Sequence, residues 1–450
     1  MKARSKTRTD RSTGKNQDGL KCEDSPEMKE RSGVKRPGLA HALSNGSDHE
    51  SGRFTPRLFS FFSGLGFLDL GFEKAGYTVA FVNEFRASFL KAYKHARLHL
   101  KMNPPEYGYV QGDISDFLNG AGDRLSGQVR DSKLAGNLVG FVGGPPCPDF
   151  SVGGKNRGRE GDNGKLSATY VELISKQKPD FFLFENVKGL WQTKAHRAFY
   201  EELKTKLHKA RYVTTERLIN TLDYAAPQDR ARILLVGVQE GRLRDQKIAF
   251  DQKRMELEDG FFPWTRYARY ANGSAFEFPW PETAPFRENS ERKCPEGVPA
   301  ELTVEHWFQQ NDVLNHENST HCFKPRAGLA RFLSVDEGDD SKKSYKRLHR
   351  WRYSPTVCYG NNEVHLHPYK PRRISVAEAL ALQSLPKEFV LPPDMTLSDM
   401  FKGVGNGVPF VAARAVAMAF LDILRADESD SSRTDKSHRC AAKEQGIPVR

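Results

Sequence analysis

The sequence predicts an α/β protein, a mostly parallel sheet covered by helices on both faces, with an irregular domain inserted into it. Three observations predict this. Short apolar runs alternate with amphipathic stretches between residues 57 and 239. That rhythm stops from 240 to 352 and resumes near 371. The two ends, 1–54 and 426–450, are polar, charged and poor in Val, Ile and Phe. Such ends cannot bury enough apolar surface to offset chain entropy and are expected to be disordered. The expected plan is therefore a basic tail over 1–54, a first domain over 55–239, an insert over 240–352, a return to the first domain over 353–425, and a second tail.

Taken in order, Arg57–Phe62 is a short apolar strand. Phe67–Ala75 has apolar residues at helical spacing and stops at Gly76, a usual helix end. Thr78–Val82 reads as a strand, Ala87–Leu100 as a helix and Gly108–Gln111 as a short strand. Leu138–Val142 is a strand running into Gly143-Gly144-Pro145-Pro146. Ser167–Lys178 is helical, Asp180–Phe184 a strand, Arg197–Ala210 a helix and Tyr212–Ile219 a strand. Ala231–Val238 is the most strand-like run of the chain. Beyond the insert, Ser375–Gln383 is a helix with Ser375 as N-cap. Val408–Leu424 is a final helix after a glycine-rich turn.

Composition narrows the function classes. The 450 residues are 38% hydrophobic and 11% aromatic, enough for a sizeable core. No run reaches the roughly 18 apolar residues of a membrane span, since Phe410–Leu424 is broken by Arg414 and Asp422. The first thirty residues hold no apolar stretch, which argues against a secretory leader. The six cysteines form no CxxC pair, so neither a disulfide scaffold nor a zinc ribbon is expected, and a reducing cytoplasm is. Net charge is +12, from 69 Lys+Arg against 57 Asp+Glu. Residues 57–239 carry 26 basic against 19 acidic side chains, whereas 240–352 balance at 19 each. A polyanionic partner fits the first of these, because clustered cations displace counterions from phosphates.

The chemistry concentrates at strand ends. The first strand leads through Phe62-Ser63-Gly64-Leu65-Gly66 directly into a helix, a turn that lets backbone amides approach a ligand. The second ends at Glu84-Phe85, an acid placed to accept from ribose hydroxyls. The third ends at Gly112-Asp113-Ile114, an acid placed where an adenine amino group could donate. No phosphate-cradling G-x-x-x-x-G-K-[ST] is present. After the next strand comes Gly143-Gly144-Pro145-Pro146-Cys147-Pro148. A thiol at a rigid strand end, where amide dipoles lower its pKa, suits a nucleophile better than a core cysteine. Phe184-Glu185-Asn186-Val187 puts a carboxyl at the boundary of an apolar strand, where it can hold a proton and act as an acid. Pro227-Gln228-Asp229-Arg230-Ala231-Arg232 brings two arginines into the last strand on one face.

These segments, with the late Gly405-Asn406-Gly407-Val408 turn, resemble in order and spacing the DNA (cytosine-5)-methyltransferases of bacterial restriction–modification systems. The resemblance covers 57–239 and 365–425. It implies a Rossmann-like S-adenosylmethionine-dependent methyltransferase fold whose insert, 240–352, is the target-recognition domain. It implies that Cys147 attacks C6 of a cytosine flipped out of duplex DNA. Glu185 would bond to N3, with Asn186 supporting its loop and Arg232 and Arg230 holding base and surroundings. Phe62, Gly64, Leu65, Gly66, Glu84, Phe85, Asp113, Ile114, Pro145 and Asn406 would form the S-adenosylmethionine pocket. It further implies a monomer in a bacterial cytoplasm, acting on the nucleoid, with double-stranded DNA as partner. A cognate restriction endonuclease would act on the same site, and no membrane would be involved.

The chain departs from the family at three places. Phe67 stands where a third glycine is common, which would narrow the methionine end of the pocket. Pro148 follows the cysteine in place of glutamine. Ala377 and Ala381 stand where arginines are common. For DNA contact the candidates are Lys155, Arg157 and Arg159, in a basic glycine-containing loop after the nucleophile. In the insert they are Lys342, Lys343, Arg347, Arg350 and Arg352, within a run holding six Lys+Arg, no acid and two aromatics. The lysines suit phosphates, and at least one of the three arginines suits a guanine edge. No metal is expected. Two readings stay open on the residues alone: a tRNA cytosine-5 methyltransferase on the same scaffold, and a catalytically idle DNA-binding regulator. The presence of Cys147, Glu185 and Arg232 together argues against the latter.

Overall fold

Aromatic and β-branched runs buried on both faces make the strands, and amphipathic stretches make the helices that cover them. The computed structural model describes residues 55–146, 162–270, 273–325, 328–342, 344–357, 359 and 363–425. The alternating part comprises β1 (Arg57–Phe61), α1 (Phe67–Ala75), β2 (Thr78–Glu84), α2 (Ala87–His99), β3 (Tyr109–Gln111), α3 (Ala121–Leu134) and β4 (Val139–Gly143). It continues with α4 (Asp162–Gln177), β5 (Phe181–Val187), α5 (Lys188–Gln192), α6 (Lys194–Lys209), β6 (Tyr212–Asn220) and β7 (Ala231–Gln239). Helix α3 was not expected. It buries only Gly122, Leu125, Val129 and Ser132 among polar residues, so its apolar period is faint.

After β7 come α7 (Glu240–Asp245), β8 (Phe250–Asp251), β9 (Glu256–Leu257), α8 (Val304–Gln310) and α9 (Leu329–Leu333). The sheet order is β3-β2-β1-β4-β5-β7-β6-β9-β8. Strands β1 to β5 pair in parallel. Strand β7 runs antiparallel between β5 and β6. The short connection 221–230 accounts for this, because a parallel return needs a crossover of a dozen residues or more. As a result β7 starts at the carboxyl edge of the sheet, where Arg232 stands opposite Val187 at the end of β5.

Segment 240–352 holds only short elements, and it is not detached. Glu256 of β9 pairs with Thr214 of β6, and Phe262 packs at 5.7 Å on Phe420. Val304, Trp307 and Phe308 share a core with Leu65 and Phe67. The described residues belong to one compact unit.

The closing helices are α10 (Val376–Leu382), α11 (Leu397–Asn406) and α12 (Phe410–Leu424). Ser375 caps α10 in a reciprocal box with Glu378. The whole of α10 is buried, so Ala377 and Ala381 sit where a long cation would need a buried partner. Helix α11 replaces part of the expected turn: Gly405 and Asn406 are its last residues, and α12 starts at Phe410, not Val408. Leu397–Leu424 is apolar and long enough to cross a membrane, but it is two helices, and 67% of its most apolar 18-residue stretch is buried in the protein.

Candidate active site

The first wall of the site is the turn from β1 into α1. Phe62 takes φ 52°, and Gly64 and Gly66 take φ 56° and 88°. For phenylalanine this is a strained conformation, held by the edge of its ring on Tyr170 at 6.0 Å. A Cβ on Gly66 would stand 2.5 Å from the Tyr93 ring, whereas one on Gly64 would meet only a carbonyl 4.0 Å away. The turn is thus packed on one side and open on the other. Glu84, 7% exposed, accepts from the amides of Gly64 at 2.8 Å and Arg86 at 2.9 Å. Burial holds its carboxyl above the usual range, and those amide bonds partly offset this.

Phe85, beside it, leaves 66% of its surface exposed. Asp113 accepts from the Ser115 amide at 2.8 Å and hydroxyl at 2.7 Å, and so caps the short helix that starts at Ile114, itself buried. Leu65 is buried against Gly403. The expected narrowing by Phe67 does not follow, since its ring is 2% exposed and packs on Phe389 at 5.2 Å. Sequence reasoning passed over Ser63, whose hydroxyl is buried with no hydrogen-bond partner among the described residues.

The second wall lies at the ends of β4, β5 and β7. Glu185 is 6% exposed, and Arg232 Nε donates to its Oε1 at 2.9 Å. Its Oε2 lies 2.6 Å from where a Cβ on Gly144 would be, so glycine is what lets the strand exit approach the carboxylate. Burial raises the Glu185 carboxyl above its ordinary value, and the Arg232 and Arg230 guanidiniums offset part of the rise. Asn186 Nδ2 donates to the carbonyl of buried Pro145 at 3.4 Å, and its Oδ1 accepts from the Val187 amide at 2.9 Å.

The two arginines separate. Arg232 faces the carboxylate, whereas fully buried Arg230 donates to the Val357 carbonyl at 3.1 Å and the Gly405 carbonyl at 2.7 Å. Arg230 therefore ties the start of β7 to the end of α11, beside exposed Asn406. Cys147, Lys155, Arg157 and Arg159 lie outside the described residues, as does Lys343.

The basic run of the insert requires correction. Arg347 is 1% exposed. Its guanidinium donates to the carbonyls of Val335, Lys370, His367 and Phe332, and it stacks 3.9 Å from the Phe286 ring. Arg350, 3% exposed, donates twice to the Glu337 carboxylate, at 2.7 and 3.0 Å, and to Ser290. Both are buried and spend four of their five donors on protein acceptors, so neither is placed to read DNA. The signal was in the sequence: the acidic cluster Asp336, Glu337, Asp339 and Asp340 lies just upstream. Lys342 is exposed and Arg352 half-buried.

Comparison with known proteins bears on the family and the fold. The sequence profile of the family described as C-5 cytosine-specific DNA methylase matches residues 57–421. The Type II methyltransferase M.NmeDI of Neisseria meningitidis serogroup C is 52% identical over 84% of this chain and 86% of its own. M.MthTI of Methanothermobacter thermautotrophicus, also a Type II methyltransferase, is 28% identical over 80% and 94%. A prophage-encoded Escherichia coli protein of known crystal structure has the same fold, with a TM-score of 0.55 at 22% identity over 82% and 99%. The chain belongs to the C-5 cytosine-specific DNA methylase family.

Proposed function

We propose that Cys147 attacks C6 of a flipped-out cytosine while Glu185 delivers a proton to N3, and that C5 then takes the methyl group of S-adenosylmethionine. The observation that carries this is the buried Glu185–Arg232 pair, set against Gly144 three residues before Cys147. A carboxyl whose proton is favoured by burial can donate to N3 and draw electrons from C6. The thiolate then forms the C6–S bond, and the electron pair moves to C5. After transfer, loss of the C5 proton expels the thiolate and restores the ring. Arg232 keeps one carboxylate oxygen occupied, so the other is the one available to the base. Asn186 holds the Pro145 carbonyl and with it the exit that carries Cys147.

The first wall fits the cofactor. Glu84 has lone pairs beyond its two amide bonds for ribose hydroxyls, Phe85 offers a free ring face, the open side of Gly64 leaves room for a ligand, and the Ser63 hydroxyl has no partner of its own among the described residues. S-adenosylmethionine supplies an electrophilic methyl group there. Around it, Lys155, Arg157 and Arg159 close on the DNA backbone, Lys342 and Lys343 contact phosphates, and segment 240–352 selects the sequence. The product protects host DNA at the nucleoid against an endonuclease cutting the same site.

The test is Cys147→Ser and Cys147→Ala. Both variants should lose methyl transfer and keep S-adenosylmethionine binding. Duplex DNA carrying 5-fluorocytosine should trap the wild-type enzyme covalently, because fluorine cannot leave C5 as a proton does. Full activity in Cys147→Ala would overturn the mechanism.

A further inference from the structure

With Arg347 and Arg350 withdrawn into the protein, the end of the basic run is left to Arg352, and its surroundings are unlike theirs. The Arg352 guanidinium is half-buried and makes no hydrogen bond or ion pair with any described residue. It lines a pocket of about 90 Å³ with Asp229, Asp340, His349, Tyr353 and Pro355, and with Arg347, whose guanidinium is turned to buried protein carbonyls. Asp340 is exposed and likewise unpaired among the described residues. Asp229 spends Oδ1 on the Asn220 amide at 2.7 Å, which leaves its second oxygen. Opposite charges thus face one small pocket and are not joined to each other.

The pocket lies against the catalytic segment. Ser354 donates its amide to the Pro227 carbonyl at 2.8 Å and accepts from the Asp229 amide at 2.9 Å. Gln228 pairs with Ser354 as a short parallel bridge. Further along the chain from Gln228, at the start of β7, Arg232 holds Glu185.

We infer that this pocket reads one G·C base pair in the major groove, Arg352 donating to guanine and a carboxylate, Asp340 first, accepting from cytosine. The match is one of donor and acceptor. Guanine shows two acceptors, O6 and N7, side by side, which a guanidinium meets bidentately. The paired cytosine shows an amino donor, which a carboxylate accepts. An A·T pair offers an amino donor at adenine N6 but no two adjacent acceptors, so the guanidinium is the group that discriminates against it. Phosphate binding is disfavoured by the two carboxylates in the lining, which would repel it. His349 adds no charge of its own, since burial lowers its pKa to about 4. The inference rests on the reading of 240–352 as the segment that selects sequence.

The test uses the full chain. Bisulfite sequencing of DNA from an expressing host gives the methylated sequence, and duplexes with each base pair replaced in turn form the panel. In Arg352→Ala, discrimination should fall by about 5- to 150-fold at one G·C position and hold at the others. Arg352→Lys should not restore it, because an ammonium is a point donor. Asp340→Asn should relax the same position. S-adenosylmethionine binding and thermal melting of the variants report that they are folded. A loss equal on all duplexes, with a shallower salt dependence, would make Arg352 a phosphate contact and overturn the inference. Unchanged specificity would overturn it as well. If substitutions elsewhere in 240–352 then shift the preferred sequence, the segment keeps its role and only the pocket is lost; if none does, both readings fall.

Discussion

Glu185 shows what a single side chain can be asked to do. It is desolvated, which favours its proton, and ion-paired, which opposes it; the balance leaves the carboxyl above its ordinary value. Replacement by Gln keeps the volume and an acceptor for Arg232 but removes the titratable proton. Glu185→Gln should therefore lower kcat by about 10²- to 10⁴-fold with little change in DNA affinity, measured by single-turnover methylation. Gly144→Ala probes the same carboxylate from the other side. Its methyl group would overlap Oε2, so activity should fall while S-adenosylmethionine binding stays near wild type. Glu84→Ala should raise the KM for S-adenosylmethionine and leave sequence preference unchanged; a changed preference would move Glu84 out of the cofactor wall. At this scale the placement of Glu185 near the end of β5 and of Arg232 at the start of β7 was legible from the punctuation around those strands. It was misleading at Arg347 and Arg350, because a cation bonded to buried carbonyls and one facing water are spelled alike.

Among elements, the junction of β1, α1 and α2 lies directly beneath the cofactor turn. Asp69 of α1 accepts from Ser60 of β1 and from Tyr93 of α2, each at 2.8 Å. Burial pushes its pKa up to about 6, those two hydrogen bonds opposing the rise. Because the folded-state value is raised, folding takes up a proton in this range. The associated stability is fully present below pH ~4, the unfolded value, and lost as pH rises through about 6, a swing on the order of 3 kcal/mol. Urea melts of wild type and Asp69→Asn across pH 4–7 should differ by a term that grows over that window; parallel curves would refute the assignment. Most elements were readable from period and punctuation. Helix α11 was not, although Leu397, Met400, Phe401 and Val404 have helical spacing, because Gly403, Gly405 and Gly407 dominate the local pattern. The antiparallel course of β7 does not show in strand composition; it is written in the length of the connection 221–230, too short for a parallel crossover.

For the whole molecule, the question is where the insert stops being separate. Phe262 lies 4.3 Å from Trp264 and packs on Phe420, so its side chain belongs to the sheet's core. Phe262→Ala should cost about 3–5 kcal/mol and lower the melting temperature of a single transition. Two resolved transitions, only one of them shifted, would mean that this part of the insert unfolds on its own. The bridge between Gln228 and Ser354 extends the same continuity to the far end of the insert. It sets a rule for anyone building hybrid enzymes. A foreign recognition segment whose far seam falls at Pro355 would replace Ser354, one side of the bridge, and so misplace the strand entry that carries Arg230 and Arg232. Seams placed after Trp264 and before Ser354 would leave the bridge native, and such chimaeras should inherit the donor's target sequence at the recipient's turnover rate.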